Sequence, residues 1–261
     1  MEWELPKALY VKSNKQYNRL VVLMLIMMFP YDVLNAEDSL AVSHNNSPFS
    51  ISLELSTKYI WRGIEYGDAP TSFAIINYEH KGLSAYAEGV YEFDGSHQEV
   101  DLSLAYTRKW LTASVNDYYY PSSVGEKDHY FKLSSRKTGH YLEGAIMIAP
   151  INFPLWFTVS TYFWGADKKP DGAQAYSSYV ELGYRHAFND DNSIILAIGG
   201  NLNKSFYTDY EHSFNVVNIM AKYATCFRFG KFILPVSASY ILNPYRNKSF
   251  VTFSAYFNSK L

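Results

Sequence analysis

Short segments in which apolar and polar residues alternate run from residue 49 to the end of the chain, and this period of two favours β structure throughout. In the first segment, Ile51, Leu53 and Leu55 alternate with Ser52 and Glu54. A pleated strand sends alternating side chains to opposite faces, so each segment predicts a strand with one apolar and one polar face. The predicted strands are 50–62, 71–80, 83–93, 98–107, 110–120, 139–149, 154–164, 175–188, 193–203, 213–227, 232–242 and 248–258.

The connections between these segments alternate in length. The tight connections are 81–82, 108–109, 150–153, 189–192 and 228–231. They alternate with longer polar connections at 63–70, 121–138, 165–174 and 204–212, and with connections of intermediate length at 94–97 and 243–247. Short turns at one end and long loops at the other are typical of an up-and-down barrel. Asp128–Ser134 could form a thirteenth strand, but this would place the loop at 165–174 at the short-turn end. The pattern therefore predicts an all-β fold, a transmembrane antiparallel up-and-down β-barrel of twelve strands over 49–261.

The N-terminal region resembles an export signal. Four basic residues precede an apolar run from Leu20 to Phe29: Lys7, Lys12, Lys15 and Arg19. Ten apolar residues are too few for a spanning helix, so we expect a cleaved signal peptide rather than an anchor. Cleavage after Ala36 is preferred because it lies nearer the apolar run, and cleavage after Ala41 stays open. The predicted organisation is a signal peptide at 1–36, a periplasmic leader at 37–48 and the barrel at 49–261.

Aromatic residues are abundant and recur near the ends of the predicted strands. The chain has 24 Tyr and 17 Phe. The predicted outer rim contains Tyr59, Trp61, Tyr91, Phe93, Tyr118–Tyr120, Tyr162–Trp164, Tyr176 and Tyr240, and the inner rim contains Trp110, Phe153, Trp156, Phe188, Phe227, Phe232 and Phe257. Two such girdles are typical of a barrel at its two membrane interfaces. A soluble secreted β-sandwich is the alternative, since its strands alternate in the same way.

The first hairpins resemble those of a known family. The segment Leu55 to Gly63 (LSTKYIWRG), followed by Ala69-Pro70 and by Gly82 to Tyr86 (GLSAY), is similar to the opening of the TorF-type putative porins of Gram-negative outer membranes. Three later segments are similar to related uncharacterised outer-membrane proteins: Phe163 to Asp167, Tyr176 to Glu181 and Phe214 to Asn218. The resemblance is strongest over 50–93 and implies an outer-membrane barrel presumed to form a pore. One departure is that Phe257 is not terminal, because Asn258 to Leu261 follow it.

Strand parity predicts which charged side chains point into the lumen. The candidate pore-lining residues are Glu54, Lys58, Arg62, Glu88, Asp101, Glu143, Glu181, Arg185 and Lys222, with Glu79 and Glu99 on the same face. Unpaired ions are costly to desolvate, so these groups require either water or partners. One interpretation is a narrow passage whose opposed charges select solutes. The other is a salt-bridged plug that stiffens a small barrel, and the sequence does not decide between them.

Arg62 is the strongest single candidate. It is predicted to end the first strand beside Gly63, at the outer mouth, where its charge would meet incoming solutes. The alternative is a rim arginine paired with a loop carboxylate such as Glu65 or Asp68.

Other chemistries receive little support from the sequence. None of the seven His residues begins a His-x-Ser pair of the kind used by barrel lipid hydrolases, so we expect no enzyme activity. We also expect no cofactor and no metal site. The net charge of −2 gives no electrostatic case for nucleic acid.

The predicted function follows from the location and the lumen. We expect a bacterial outer-membrane barrel, surrounded by outer-membrane lipid, that lets small hydrophilic solutes diffuse passively. The alternative is a closed structural or adhesive surface barrel that binds through the loops at 121–138 and 165–174. The oligomeric state stays open.

Overall fold

The computed structural model describes residues 47–121, 129–135 and 137–260. Twelve strands form a closed antiparallel barrel in which each strand pairs with the next along the chain and the last closes on the first. They are β1 (Phe49–Ser56), β4 (Thr71–His80), β5 (Leu83–Glu92), β6 (Gln98–Arg108), β7 (Leu111–Tyr119), β8 (His140–Ile148), β9 (Leu155–Gly165), β10 (Ser178–Ala187), β11 (Ser193–Asn201), β12 (Asn215–Phe229), β13 (Phe232–Asn243) and β14 (Lys248–Lys260). The remaining strands, β2 (Tyr59–Trp61) and β3 (Ile64–Gly67), form a separate hairpin. The predicted twelve-stranded up-and-down barrel is confirmed.

The first predicted strand, 50–62, is wrong in its second half. β1 leaves the barrel after Ser56, which pairs with Thr71, the first residue of β4. The residues from Tyr59 onward fold back on themselves instead, with positive φ angles at Arg62 (49°) and Gly63 (77°). Two consecutive residues with positive φ are typical of the tight turn of a two-residue hairpin.

Two other predictions concern the course of the chain. The described part of Asp128–Ser134, residues 129–134, contains no strand, which agrees with its assignment to the loop between β7 and β8. The predicted signal peptide at 1–36 lies outside the described residues, as does the leader apart from Ser47 and Pro48. No helix within the described ranges is long and apolar enough to cross a membrane.

The outer surface of the barrel is apolar, as the alternation predicts. On β1, Leu55 is exposed while its neighbours Glu54 and Ser56 are buried. Exposed outward apolar side chains occur on every side of the barrel, among them Ile76, Val100, Leu102, Leu104, Val115, Ile146, Phe157, Leu182, Leu196, Ile198, Ile219, Val251 and Phe253. The polar set therefore faces the interior.

The aromatic rims are confirmed in part. Exposed aromatic side chains lie near both ends of the barrel: Tyr91, Phe93, Phe163, Tyr176 and Tyr240 at the long-loop end, and Trp110, Phe153, Phe188, Phe227, Phe232 and Phe257 at the short-turn end. Six predicted rim residues are buried instead: Tyr59, Trp61, Tyr118, Tyr119, Trp156 and Tyr162. Tyr118 and Tyr162 share strand parity with inward polar residues, and Tyr59 and Trp61 belong to the hairpin, so these rings pack inside the barrel.

Candidate functional site

The β2–β3 hairpin, together with its flanking residues 57–58 and 68–70, lies inside the long-loop end of the barrel; we call this segment the inserted hairpin. At its tip, a Cβ on Gly63 would lie 2.0 Å from the carbonyl oxygen of Val217 on β12. Near its other end, a Cβ on Gly67 would lie 1.9 Å from Oε1 of Glu92 on β5. β5 and β12 are five strands apart around the barrel, so the inserted hairpin crosses the lumen. Glycine is required at Gly63, where φ is positive and the close contact is with the backbone of the wall, whereas at Gly67 the close contact is with the carboxylate end of the Glu92 side chain.

Side chains of the wall fasten the inserted hairpin at both sides. Asn243 donates from Nδ2 to the carbonyl oxygen of Gly63 at 3.1 Å. The backbone N–H of Ala69 donates to Oε1 of Glu92 at 2.8 Å. In the sheet pairing, β2 and β3 pair with each other and not with a barrel strand. The strands β2 and β3 therefore lie in the lumen without being part of its wall, while at the edge of the segment the N–H of Thr57 still donates to the carbonyl oxygen of Phe253 on β14 at 3.0 Å.

Arg62 forms the central contact between the inserted hairpin and the wall. Its guanidinium donates to both carboxylate oxygens of Glu143 on β8, Nη1 to Oε1 at 2.7 Å and Nη2 to Oε2 at 3.2 Å. The two side chains are 6% and 0% exposed, so the pair is almost completely removed from solvent. A bidentate geometry of this kind is among the strongest ionic contacts in proteins.

The groups around this ion pair complete the site. Nη1 of Arg62 also donates to the hydroxyl of Tyr207 at 2.7 Å. The guanidinium carbon lies 4.2 Å from the ring centre of Trp61 and 4.6 Å from that of Tyr179. Aromatic faces attract cations, most strongly where water is excluded. The site therefore combines a carboxylate with aromatic rings around one positive charge.

Glu143 is itself positioned by the wall. The hydroxyl of Tyr118 donates to its Oε2 at 3.0 Å, and Nδ2 of Asn116 donates to the same oxygen at 3.4 Å. Both donors lie on β7, the strand beside β8. Tyr207 lies in a short 3₁₀ helix, Phe206–Thr208, within the loop between β11 and β12. Two long loops therefore meet inside the barrel at the guanidinium of Arg62.

Aromatic packing seals the space around the ion pair. Trp61 packs on Tyr118 and Tyr207, with ring centres 5.9 and 6.3 Å apart. Tyr162 and Tyr179 extend the same cluster, at 6.0 Å from Tyr118 and 5.4 Å from Tyr207 respectively. The four tyrosines of this cluster are at most 2% exposed. In this conformation the lumen is filled at the level of Arg62.

A second aromatic group lies on the outer side of the inserted hairpin. Tyr66 stacks on Tyr120 at 5.9 Å with 12° between the rings, and His97 lies 5.4 Å from Tyr66 and 5.8 Å from Tyr120. His97 Nε2 approaches Glu99 to 3.2 Å. These rings are only partly buried. They form a polar aromatic surface on the approach to the buried cluster.

Carboxylates dominate one part of the inner wall. Glu88 on β5 and Asp101 on β6 are directly opposite each other in the antiparallel register, and Glu99 lies on the same face of β6. All three are buried, with at most 2% of each residue exposed. Both carboxylate oxygens of Asp101, and one each of Glu88 and Glu99, have no hydrogen-bond partner among the described residues. Like charges so close repel, and either a cation or a proton shared between the carboxyl groups relieves this repulsion.

The structure distributes the nine candidate pore-lining residues over two settings. Seven lie on inward faces of barrel strands: Glu54, Glu88, Asp101, Glu143, Glu181, Arg185 and Lys222. Lys58 and Arg62 do not lie on the first barrel strand as predicted, because that strand ends at Ser56. The structure brings Arg62 to Glu143, and Lys58 pairs instead with Glu65 of the inserted hairpin at 2.7 Å. That these nine residues line a pore stays a prediction.

The partners suggested for Arg62 were wrong. Sequence proximity favoured Glu65 or Asp68, whereas the partner is 81 positions away. Tyr207, Tyr118 and Tyr179 were not identified as site residues. One signal was available in the sequence, since Phe206 and Tyr207 form an aromatic pair within an otherwise polar loop. Within the described ranges, no group of three or more His, Cys, Asp or Glu residues is arranged to hold a metal ion.

Comparisons with known proteins find similar folds among solved structures. No family model and no curated protein matches the chain. The solved structures that are similar in fold include three outer-membrane proteins. The COG4313 outer membrane channel from Pseudomonas putida F1 is 11% identical, with 83% of this chain and 98% of that chain covered and a TM-score of 0.43. The outer membrane protein Omp33 of Acinetobacter baumannii is 8% identical, with 82% and 98% covered and a TM-score of 0.41.

The third is the translocator domain of the autotransporter NalP from Neisseria meningitidis, which is 10% identical, with 88% and 93% covered and a TM-score of 0.38. The neighbours are outer-membrane β-barrel proteins, and the resemblance to the TorF-type family is not confirmed by them. At these identities and scores, the roles of the three proteins are not transferred to this chain.

Proposed function

We propose that this protein spans the bacterial outer membrane as a channel for small hydrophilic solutes, with the inserted hairpin as its gate. The first support is the outer surface. A continuous exposed apolar belt is a liability in water but matches the hydrocarbon of a bilayer. Outer-membrane lipid is therefore the partner proposed for this surface. A soluble β-sandwich would bury one face of each sheet against the other, whereas here the apolar face is the outside of a closed barrel.

The observation that carries the channel proposal is the position of the inserted hairpin. It fills the lumen, yet in the sheet pairing β2 and β3 pair only with each other. Such a segment can leave as a unit without breaking the pairing of the twelve barrel strands. The charged wall that it covers is suited to water, since carboxylates in a dry interior would be prohibitively costly. We therefore assign the described conformation to the closed state of a passage.

The energy of the gate is set mainly by the Arg62–Glu143 pair and the aromatic cluster around it. Separating a buried ion pair without replacement partners costs several kcal/mol. Opening becomes less costly when water or a solute takes over these contacts. An equilibrium of this kind makes the open state a minority population that a ligand can increase.

A closed surface barrel is the second candidate, and the rigidity of the long loops favours it. The hydroxyl of Tyr210 donates to the carbonyl oxygen of Lys168 at 2.7 Å, which ties two long loops together. Asn203 donates from Nδ2 to the carbonyl oxygens of Ala175 and Tyr176 at 3.1 and 3.0 Å. An interlocked outer surface suits the recognition of a partner. Under this alternative the inserted hairpin is a permanent plug.

A solute-flux assay separates the two candidates. Since Ser56 and Thr71 are paired, a short Asn-Gly turn can replace residues 57–70 and keep the barrel closed. We expect liposomes containing this variant to swell in small sugars much faster than liposomes containing the unmodified barrel. The control replaces 169–173, the exposed tip between the bridged residues Lys168 and Gln174, and should behave like the unmodified protein. No swelling by the unmodified barrel beside fast swelling by the shortened one would favour the permanent plug, and no swelling by either would mean that the inserted hairpin is not what closes the lumen.

A further inference from the structure

The inward charges of the barrel strands are strongly unbalanced. Among the described residues, eight buried or half-buried acidic side chains face inward: Glu54, Glu79, Glu88, Glu92, Glu99, Asp101, Glu143 and Glu181. Two buried or half-buried bases, Arg185 and Lys222, face inward from β10 and β12. A confined passage with such an excess raises the local concentration of cations and excludes anions.

Arg62 shows which kind of cation the wall accepts. Its guanidinium does not belong to the wall; it enters from the inserted hairpin and is bound as a ligand would be. Glu143 receives two of its hydrogen bonds, and the hydroxyl of Tyr207 receives a third. The ring of Tyr179, on β10, faces the guanidinium at 4.6 Å. These groups remain as a ready-made receptor when the hairpin withdraws.

The donors that hold Glu143 in place make this receptor independent of Arg62. Tyr118 and Asn116 fix Oε2 from β7, and Tyr179 is fixed by the hydrogen bond of its hydroxyl to Glu181 at 2.8 Å. The receptor is thus preorganised, which reduces the entropic cost of binding a free cation in place of the tethered one. Asp101 adds to the acidic character of the same wall, opposite Glu88 in the pairing of β5 and β6.

We propose that Arg62 is a tethered mimic of the solute, and that the channel binds and passes organic cations bearing a guanidinium group, which compete with Arg62 for Glu143. This inference rests on the proposed function for the passage itself, but the receptor can be tested without any transport. A free guanidinium group satisfies the same two carboxylate oxygens, the hydroxyl of Tyr207 and the face of Tyr179, all of which stay when the hairpin leaves. Binding it releases the hairpin, so the solute opens its own path.

Chemical rescue tests the receptor directly. Arg62→Ala removes the tethered guanidinium and leaves Glu143 buried without its cation. In the refolded barrel, low-millimolar guanidinium chloride should raise the Tm of this variant by roughly 2–4 °C. Urea, a neutral molecule of nearly the same shape, and sodium chloride at equal ionic strength should not. The rescue should disappear in Arg62→Ala/Glu143→Gln and persist in Arg62→Ala/Glu211→Gln, since Glu211 is an exposed loop residue.

Channel recording gives a second, independent readout. In the barrel whose residues 57–70 are replaced by a short turn, the reversal potential should show cations passing in preference to chloride. Guanidinium should reduce the potassium current with a half-maximal concentration that rises about tenfold in the Glu143→Gln version. Anion preference, or equal guanidinium effects in both versions, would overturn the inference while leaving the channel in place. Absence of rescue in Arg62→Ala would overturn the receptor, whereas a silent inserted barrel would overturn the proposed function itself.

Discussion

Arg62 and Glu143 are 81 residues apart in the chain and meet in a bidentate ion pair, with 2.7 Å between Nη1 and Oε1. One belongs to a hairpin that does not pair with the barrel, and the other to the inward face of β8. The contact therefore joins an element outside the barrel sheet to the barrel wall. In the proposed channel, its strength decides how firmly the lumen is closed.

The first prediction concerns the stability of this pair. Arg62→Leu and Glu143→Gln should each lower the free energy of unfolding by about 3–5 kcal/mol, because each leaves a buried group without its partner. The double variant should lose much less than the sum of the two. A double-mutant cycle from denaturant unfolding of the refolded barrel measures this coupling. Strictly additive losses would mean that the two side chains do not interact.

The second prediction uses the tip of the inserted hairpin. Gly63 has a φ of +77°, and an added Cβ would meet the carbonyl oxygen of Val217 at 2.0 Å. Gly63→Ala should therefore prevent the hairpin from seating and increase channel opening, while the barrel itself remains folded. Gly172→Ala is the matched control, since Gly172 also has a positive φ, +84°, but has open space around it. Single-channel open probability distinguishes them; a similar value for both variants would contradict the assigned position of the tip.

The third prediction tests the register of the barrel wall. Leu55 is exposed on the outer face of β1, whereas Ser52 faces inward. Leu55→Arg should cost roughly 2–4 kcal/mol of folding free energy in lipid, because it places a charge in the hydrocarbon. Ser52→Arg should fold with little loss. Insertion efficiency into liposomes measures both, and equal behaviour of the two variants would mean that the faces are assigned wrongly.

The fourth prediction concerns the loop between β7 and β8. The ring of His140 contacts Asp117 through Nδ1 at 2.9 Å and donates from Nε2 to the carbonyl oxygen of Tyr130 at 2.7 Å. His140→Phe keeps an aromatic ring but removes both polar contacts, so trypsin should cleave faster at Lys132. His212→Phe is the control, because His212 is largely exposed. If the two variants are cleaved at the same rate, His140 does not fasten the loop.

The strands of the barrel could be predicted because the sequence pattern that determines each strand lies within the strand and its adjoining turns. A period of two, interrupted by turns of alternating length, gives twelve strands whose observed ends mostly lie within a residue or two of the predicted ones. Turn chemistry supports the same result, as at Lys81 and Gly82, which have positive φ angles of 49° and 86° in a two-residue hairpin. Each of these features is visible in a short window of sequence.

The inserted hairpin could not be predicted in this way, because the residues that determine it are far from it in the sequence. The alternation of β1 continues through Thr57, Tyr59 and Trp61, so nothing local ends the strand at Ser56. The strand ends there because its partner β4 begins only at Thr71. The partner of Arg62 depends in turn on how β8 is placed across the closed barrel. Inward charge could be predicted from parity, but the pairing of charges could not.

The most direct test of the account is the single-channel conductance of the barrel with residues 57–70 replaced by a short turn, compared with the unmodified barrel in the same planar bilayer. The account predicts a steadily open, cation-preferring channel for the shortened barrel. It predicts brief, rare openings of similar amplitude for the unmodified one. A shortened barrel that inserts correctly and stays silent would contradict the account, because the inserted hairpin would then not be what closes the lumen.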